Sequence, residues 1–206
     1  FKHTDLSKKQ IRFPLWLMYY HYYKYDERDN ILTYLQNKYI ENIKKQKEIF
    51  GTIIARHDRG GQRELIYNEL SNYGIIKAPG TYRKNTQAIG NTHQDKVEYI
   101  SRGTYNICPE NSEYEGYFTE KIFQAFEGGT IPLYWAVGLP EPEIINKNKY
   151  CFCDINIKGS LEKSIENVCK NPNQYIDGDL FTKNAGKQVQ MFYSTLLENI
   201  LTKIID

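Results

Sequence analysis

The chain has 206 residues, a length typical of one domain that can bury a core of ordinary size. Its 27 basic and 25 acidic side chains give a formal net charge of +2 at pH 7, which excludes a general attraction to nucleic acid or anionic membrane. A basic ligand site must therefore be local.

The first thirty residues are rich in aromatic side chains and have no clean hydrophobic period. We interpret residues 1–30 as an arm or interlobe segment that packs against another surface. The apolar run from Phe13 to Tyr23 is shorter than the roughly 20 residues of a membrane span. We therefore expect a cytoplasmic location, and leave open a peripheral membrane association of a longer protein.

From residue 31 onward, helical and strand-like segments alternate. Apolar spacing predicts a first helix from Ile31 that ends before Ile49, with Lys44, Lys45 and Lys47 in its last turn. A strand ending at Ala55, a helix closed by Gly74, a loop over residues 78–91 and a short helix follow. The remaining predicted segments, in chain order, are strand TYNIC, helix YFTEKIFQAFEGG from near Tyr117, strands TIPLYW and KYCFCDI, helix SLEKSIENVCKN and a long helix over residues 189–204.

This alternation predicts an α/β fold in which a parallel, Rossmann-like sheet has helices on both faces. We assign residues 31–206 to this domain. The four cysteines are predicted to be reduced thiols, because Cys151 and Cys153 fall on one face of a strand.

Polar side chains follow two of the predicted strands. Arg56, His57, Asp58 and Arg59 come after the first strand, and Arg63 lies in the helix that follows. In an open parallel sheet, ligands bind beyond the carboxyl ends of the strands, where loops meet helix N-termini. This first strand-loop-helix unit therefore predicts cations at a ligand crevice.

The TYNIC unit predicts a second contribution to the same crevice. Glu110 and Asn111 emerge at the carboxyl end of the strand, and Lys121 and Glu120 lie near the start of the next helix. A helix N-terminus and a lysine favour an anion such as phosphate, whereas a glutamate accepts hydrogen bonds from hydroxyl groups such as those of a ribose. The two units together predict one anionic ligand.

Each of these side chains also has a structural interpretation that the residues leave open. Glu120 and Lys121 on a helix are often solvated surface, and Arg63 beside Glu64 is compatible with an exposed ion pair that stabilises little. Asn111 is also compatible with a turn cap. The chain has neither the G-x-x-x-x-G-K-[ST] nor the G-x-G-x-x-G phosphate loop, so the ligand would have to be held by other groups.

The ordered segments YNICPENSEYEGYFTEKIFQAF and GGTIPLYW resemble the α-1,3-fucosyltransferase family. Its hallmark is F/Y-N-x-x-x-E-N-S, then G-Y-x-T-E-K, then I-P-x-Y-W. QRELIYNEL and RFPLWLMYY extend the resemblance over most of residues 11–155. One departure is Ala136, where the family usually has glycine.

The resemblance implies one lobe of a GT-B glycosyltransferase that transfers fucose from GDP-fucose, with inversion, to a GlcNAc-containing glycan and needs no obligatory metal. By motif position, Arg63 and Lys121 are similar to the pair that neutralises the diphosphate, and Glu120 to the ribose ligand. The positions similar to those lining the donor pocket are Glu110, Asn111 and Tyr117.

In the resembled family the catalytic general base is a carboxylate of the N-terminal lobe, and we expect that base to lie outside this chain. The expected partners are then GDP-fucose, the glycan acceptor and the N-terminal lobe of the same protein. Two alternatives stay open: a GT-B transferase with another nucleotide sugar, and a non-catalytic domain that binds nucleotide sugars.

Overall fold

The computed structural model describes residues 12–23 and 31–205, without the side chains of residues 21–23 and 202–205. The described strands form one parallel sheet in the order β2-β1-β3-β4-β5. The strands are β1 Ile49–Ile53, β2 Ile76–Lys77, β3 Gly103–Ile107, β4 Ile131–Tyr134 and β5 Cys151–Phe152. The helices are α1 Leu15–Tyr23, α2 Ile31–Ile43, α3 Gln62–Ser71, α4 His93–Ser101, α5 Lys121–Glu127, α6 Ser160–Lys170, α7 Asn173–Ile176 and α8 Ala185–Ile205.

The sheet has two hydrophobic faces because successive strand residues point to opposite sides. Along β4, Leu133 joins one buried cluster and Tyr134 the other. The Leu133 side is built from α3 and α6 and includes Ile66 and Ile165. The Tyr134 side is largely aromatic and is built from α1, α2 and α5. The predicted α/β architecture with helices on both faces is therefore confirmed.

Helix α1 packs against the aromatic face of the sheet. Trp16 is fully buried and stacks on Phe123 of α5, with ring centroids 4.0 Å apart and an interplanar angle of 18°. Tyr20, also fully buried, donates a hydrogen bond to Glu127 Oε2 at 2.9 Å. Helix α5 thus forms part of the surface that residues 12–20 contact. Residues 1–11 and 24–30 of the predicted arm lie outside the described residues.

Three local predictions are wrong. Helix α5 begins at Lys121 rather than near Tyr117, because the backbone N–H of Thr119 is bound by the Glu110 carboxylate, at 2.7 Å from Oε1. Gly74 does not close α3, whose C-cap is Asn72. A Cβ at Gly74 would come within 2.4 Å of the Phe50 ring, so close packing accounts for this glycine.

The third correction concerns the lysines predicted in the last turn of α2. The helix ends at Ile43, before all of them. Lys47 nevertheless contacts the ends of two helices: its Nζ donates hydrogen bonds to the carbonyl oxygens of Asn42 at 3.0 Å and Ser101 at 2.9 Å. One ammonium thus satisfies carbonyl groups at the C-terminal ends of α2 and α4.

Two other sequence expectations concern thiols and membranes. Cys151 and Cys153 are buried on the same side of the chain, and all four cysteines are free thiols, as predicted. Within residues 12–23 and 31–205, no helix combines the length and apolar character needed to cross a bilayer. The expected cytoplasmic location stays a prediction.

Candidate functional site

The strand order creates a crevice between β1 and β3. The chain leaves β1 toward β2 on one side and continues from β3 toward β4 on the other, so the order reverses between these two strands. At such a switch point the loops after the two strands diverge, and the gap at the carboxyl edge of the sheet is where α/β proteins bind ligands. The fold alone therefore locates the candidate site.

A cleft of about 470 Å³ opens at this place. It is bounded by segments that follow three neighbouring strands: residues 54–57 after β1, residues within 79–91 after β2, and Cys108, Pro109 and Asn111 after β3. Helices α3, α4 and α5 complete it through Arg63, Lys96 and Lys121. Four of the six predicted donor-site residues line this cleft, namely Arg63, Asn111, Glu120 and Lys121.

Arg63 connects the two strand ends across the switch point. Its guanidinium donates from Nη1 to the carbonyl oxygen of His57, at 3.2 Å, and from Nη2 to Asn111 Oδ1. The residue is only 6% exposed, and burial lowers its pKa, while the Asp58 carboxylate, 3.9 Å from Nη1, opposes that shift. The arginine side chain is thus fixed in direction as well as in charge.

Glu64 takes no part in holding Arg63. It pairs instead with Arg83, whose Nη2 lies 2.7 Å from Glu64 Oε1. The interpretation of Arg63 and Glu64 as an exposed ion pair is therefore wrong. The reason is helical geometry, since adjacent helical residues point about 100° apart.

Lys121 is the second cation shared by the motif and the cleft. Its Nζ donates to Glu110 Oε2 at 2.8 Å and to Thr119 Oγ1 at 3.0 Å, and its side chain is 20% exposed. Lys121 is therefore neither freely solvated nor fully buried. It lies between a buried carboxylate and the open space of the cleft.

Glu110 and Tyr117 are not brought to the cleft surface. Glu110 is fully buried behind Lys121, where its carboxylate also accepts a hydrogen bond from Tyr134 Oη at 2.8 Å. Tyr117 is half-buried in the turn before α5, where its backbone N–H donates to Tyr114 O at 3.1 Å. Donor contact by these two residues stays a prediction, and neither lines the cleft.

The cleft is strongly cationic. Among its described lining residues, Glu120 is the carboxylate, whereas the lysines and arginines are Arg56, Arg63, Lys84, Lys96 and Lys121. This imbalance contrasts with the near-neutral chain, so the positive charge is concentrated at the switch point. The arrangement suits a ligand that carries more than one negative charge.

Sequence reasoning missed Lys84 and Lys96 as members of this site. Lys84 belongs to the loop after β2, whose conformation is fixed by Asn85: its Oδ1 accepts from Ala78 N and its Nδ2 donates to Ile76 O, both at 2.8 Å. The position of this loop after a strand could have indicated that Lys84 lies near the cleft. That prediction would have required knowing that β2 lies beside β1 in the sheet.

No three His, Cys, Asp or Glu side chains among the described residues come together as a metal-binding group. The D-x-D triplet Asp177-Gly178-Asp179 follows α7, where Lys149 Nζ donates to the Asp177 carbonyl oxygen at 2.6 Å. It does not line the cleft. The expectation that no metal is obligatory stays a prediction.

Comparisons with known proteins agree with the geometry. Residues 43–177 match the model of glycosyltransferase family 10 (fucosyltransferase), C-terminal part. An α-(1,3)-fucosyltransferase of Helicobacter pylori is 27% identical over an alignment of 170 residues, and the match covers 74% of this chain and 34% of that protein. Human 4-galactosyl-N-acetylglucosaminide 3-α-L-fucosyltransferase 9 is 25% identical over an alignment of 154 residues, and the match covers 70% of this chain and 40% of that protein.

Solved structures share the fold. A crystal structure of an α1,3-fucosyltransferase with GDP superposes with a TM-score of 0.66 at 21% identity and covers 96% of this chain and 68% of that one. One with GDP-fucose gives a TM-score of 0.64 at 22% identity, with the same coverage. The chain spans about a third of the length of the H. pylori relative that it matches.

The fold and the cleft define a doubly wound α/β domain with a cationic crevice at its switch point, one Rossmann-like lobe of the GT-B type. The family match extends over residues 43–177 and includes the strands, helices and loops that build this crevice. The chain belongs to glycosyltransferase family 10, the fucosyltransferases.

Proposed function

We propose that this chain is the donor-binding part of an inverting α-1,3-fucosyltransferase and that its cleft binds GDP-fucose. The observation that carries this proposal is the position of Arg63 and Lys121. They come from helices after two different strands, β1 and β3, and line one cleft at the switch point. A diphosphate is the part of the donor that such a pair recognises.

The reaction proposed for the whole protein breaks the bond between the anomeric carbon of fucose and the diphosphate oxygen. An acceptor hydroxyl attacks this carbon from the opposite face through an oxocarbenium-like state, and its proton goes to a carboxylate base. Negative charge develops on the departing diphosphate. Arg63 and Lys121 stabilise that charge, and preorganised groups of this kind contribute several kcal/mol.

The general base and the acceptor site belong, in this proposal, to a second lobe. Glu120 is the carboxylate among the described lining residues, and its position at the N-terminus of α5 suits a hydrogen bond to the donor ribose. A GlcNAc-containing glycan would approach from the open side of the cleft. Donor binding by this chain therefore does not require turnover by this chain alone.

Isothermal titration calorimetry of the chain with GDP-fucose, GDP and UDP tests the proposal. We expect GDP and GDP-fucose to bind and UDP to bind at least tenfold more weakly. Tighter binding of UDP would favour a transferase with another nucleotide sugar, and no binding of any of the three would contradict the proposal. A Kd for GDP at least about tenfold higher in the K121Q variant, with binding still measurable, would place the binding in this cleft.

A further inference from the structure

Glu110 is the most completely buried acid in the neighbourhood of the cleft. Its side chain is 0% exposed, although it lies three residues after the end of β3 at the edge of an open crevice. The carboxylate accepts hydrogen bonds from Thr119 N at 2.7 Å and from Thr119 Oγ1 at 2.8 Å. Lys121 Nζ and Tyr134 Oη also donate to it, each at 2.8 Å. It therefore links the end of β3 to the start of α5 and to β4.

A buried carboxylate of this kind is a poor way to gain stability. Desolvation costs several kcal/mol for each ion, and well-packed apolar residues of the same volume often stabilise a fold equally well. A fully satisfied polar network, in contrast, fixes the direction of each of its members. The role of the hydrogen-bond network around Glu110 therefore follows from the side chain whose direction it fixes.

The side chain that it orients toward the cleft is Lys121. A lysine ammonium has three N–H donors, and two of them are directed at Glu110 Oε2 and Thr119 Oγ1. The remaining donor belongs to a side chain that lines the cleft and is 20% exposed. An unrestrained lysine loses rotamer entropy when a ligand immobilises it, whereas this lysine is already held.

We infer that Glu110 is a positioning residue that holds Lys121 for contact with the ligand diphosphate and does not itself touch the ligand. This inference rests on the proposed function, because it assigns a task to one residue of the same cleft. In Glu110→Gln, one carboxylate oxygen becomes an NH₂ group, which meets the donors of Lys121, Thr119 or Tyr134 instead of accepting from them. Lys121 then loses its counter-charge and its fixed direction.

The test is a double-mutant cycle with two ligands, GDP and guanosine, measured by calorimetry on the chain. We expect E110Q to raise the Kd for GDP roughly 30-fold and the Kd for guanosine less than about threefold, because guanosine has no diphosphate. In the K121Q background, E110Q should change the Kd for GDP less than about threefold. An equal loss for both ligands, or an undiminished loss in the K121Q background, would show a merely structural role and overturn the inference.

E127Q is the matched control, because Glu127 is a second carboxylate, 1% exposed, that does not line the cleft. We expect it to lower the free energy of unfolding without a selective loss of GDP affinity. If E110Q does not fold, acetylation of the unliganded wild-type chain replaces the cycle. Lys121 should react at least fivefold more slowly than Lys96, which is also half-buried in the cleft. Equal rates would contradict the inference.

The two proposals fail in different ways. If the wild-type chain and E110Q bind GDP equally well, the positioning role of Glu110 is contradicted. The proposed function would remain intact. If the wild-type chain binds no nucleotide but Lys121 still reacts more slowly than Lys96 with the acetylating reagent, the proposed function is contradicted. The finding that Lys121 is held in place by its neighbours would remain.

Discussion

Arg63 of α3 donates a hydrogen bond to the side chain of Asn111, which follows β3, and so joins the two sides of the switch point. The same guanidinium binds the His57 carbonyl oxygen in the loop after β1. Two segments that are distant in sequence, residues 57–63 and the residues after β3, are thereby fixed around one positive charge. We therefore expect a loss of function even from a substitution of Arg63 that keeps the positive charge but removes the planar guanidinium group.

We predict that R63K raises the Kd for GDP at least tenfold, although the net charge is unchanged. A lysine ammonium cannot reproduce the two guanidinium nitrogens that donate to His57 O and to Asn111 Oδ1 while the group faces a diphosphate. Calorimetry with GDP measures the effect. R59K is the control, because Arg59 is exposed in the loop between β1 and α3 and does not line the cleft. Equal affinities of R63K and wild type would contradict the proposed diphosphate contact.

A second prediction concerns the wall of the cleft after β2. A Cβ at Gly80 would lie 2.3 Å from the carbonyl oxygen of Ala55. Because backbone atoms cannot move aside without displacing the loop, we expect G80A to lower the free energy of unfolding by about 1–3 kcal/mol. G186A in α8 is the matched control, since nothing lies within 4 Å of a Cβ there. Urea unfolding of both variants measures the difference, and equal midpoints would contradict this packing.

The sequence was sufficient to predict the architecture and two of the cations that line the candidate cleft. Alternating periodicity predicted the parallel sheet, and the positions after two strands predicted that Arg63 and Lys121 approach one ligand; both line the cleft. Local pattern could not predict the contribution of Lys84, because which loops face each other depends on the order of strands across the sheet. Glu110 shows a different limit, since the direction of a strand-end side chain reverses with a shift of one residue.

A third prediction concerns pH and the buried Glu127. Burial would raise the pKa of this carboxyl, but hydrogen bonds from His93, Tyr34 and Tyr20 outweigh burial and lower the pKa below its ordinary 4.5. As pH falls below 4.5, the unfolded chain binds a proton before the native chain does, so the native state loses stability. The free energy of unfolding of wild type relative to E127Q should therefore be greatest near neutral pH and decline below pH 4.5.

Chemical unfolding of wild type and E127Q from pH 7 to pH 3 checks this sign. The control is E48Q, because Glu48 pairs with Arg102 at an exposed position where both side chains are at least half accessible. An exposed pair of this kind contributes little to stability. If the free energy of unfolding of wild type relative to E127Q instead increases as the pH falls, the lowered pKa of Glu127 is contradicted.

The last prediction tests whether residues 12–23 belong to the folded core or form a separable arm. Trp16 is fully buried against Phe123, whereas Met18, two residues away on α1, is 56% exposed. We expect W16A to lower the free energy of unfolding by about 3–5 kcal/mol, because truncating a buried aromatic loses its transfer energy and leaves a cavity. M18A should cost less than about 1 kcal/mol. Urea unfolding followed by circular dichroism measures both, and equal effects of the two variants would mean that α1 does not pack on α5 in solution.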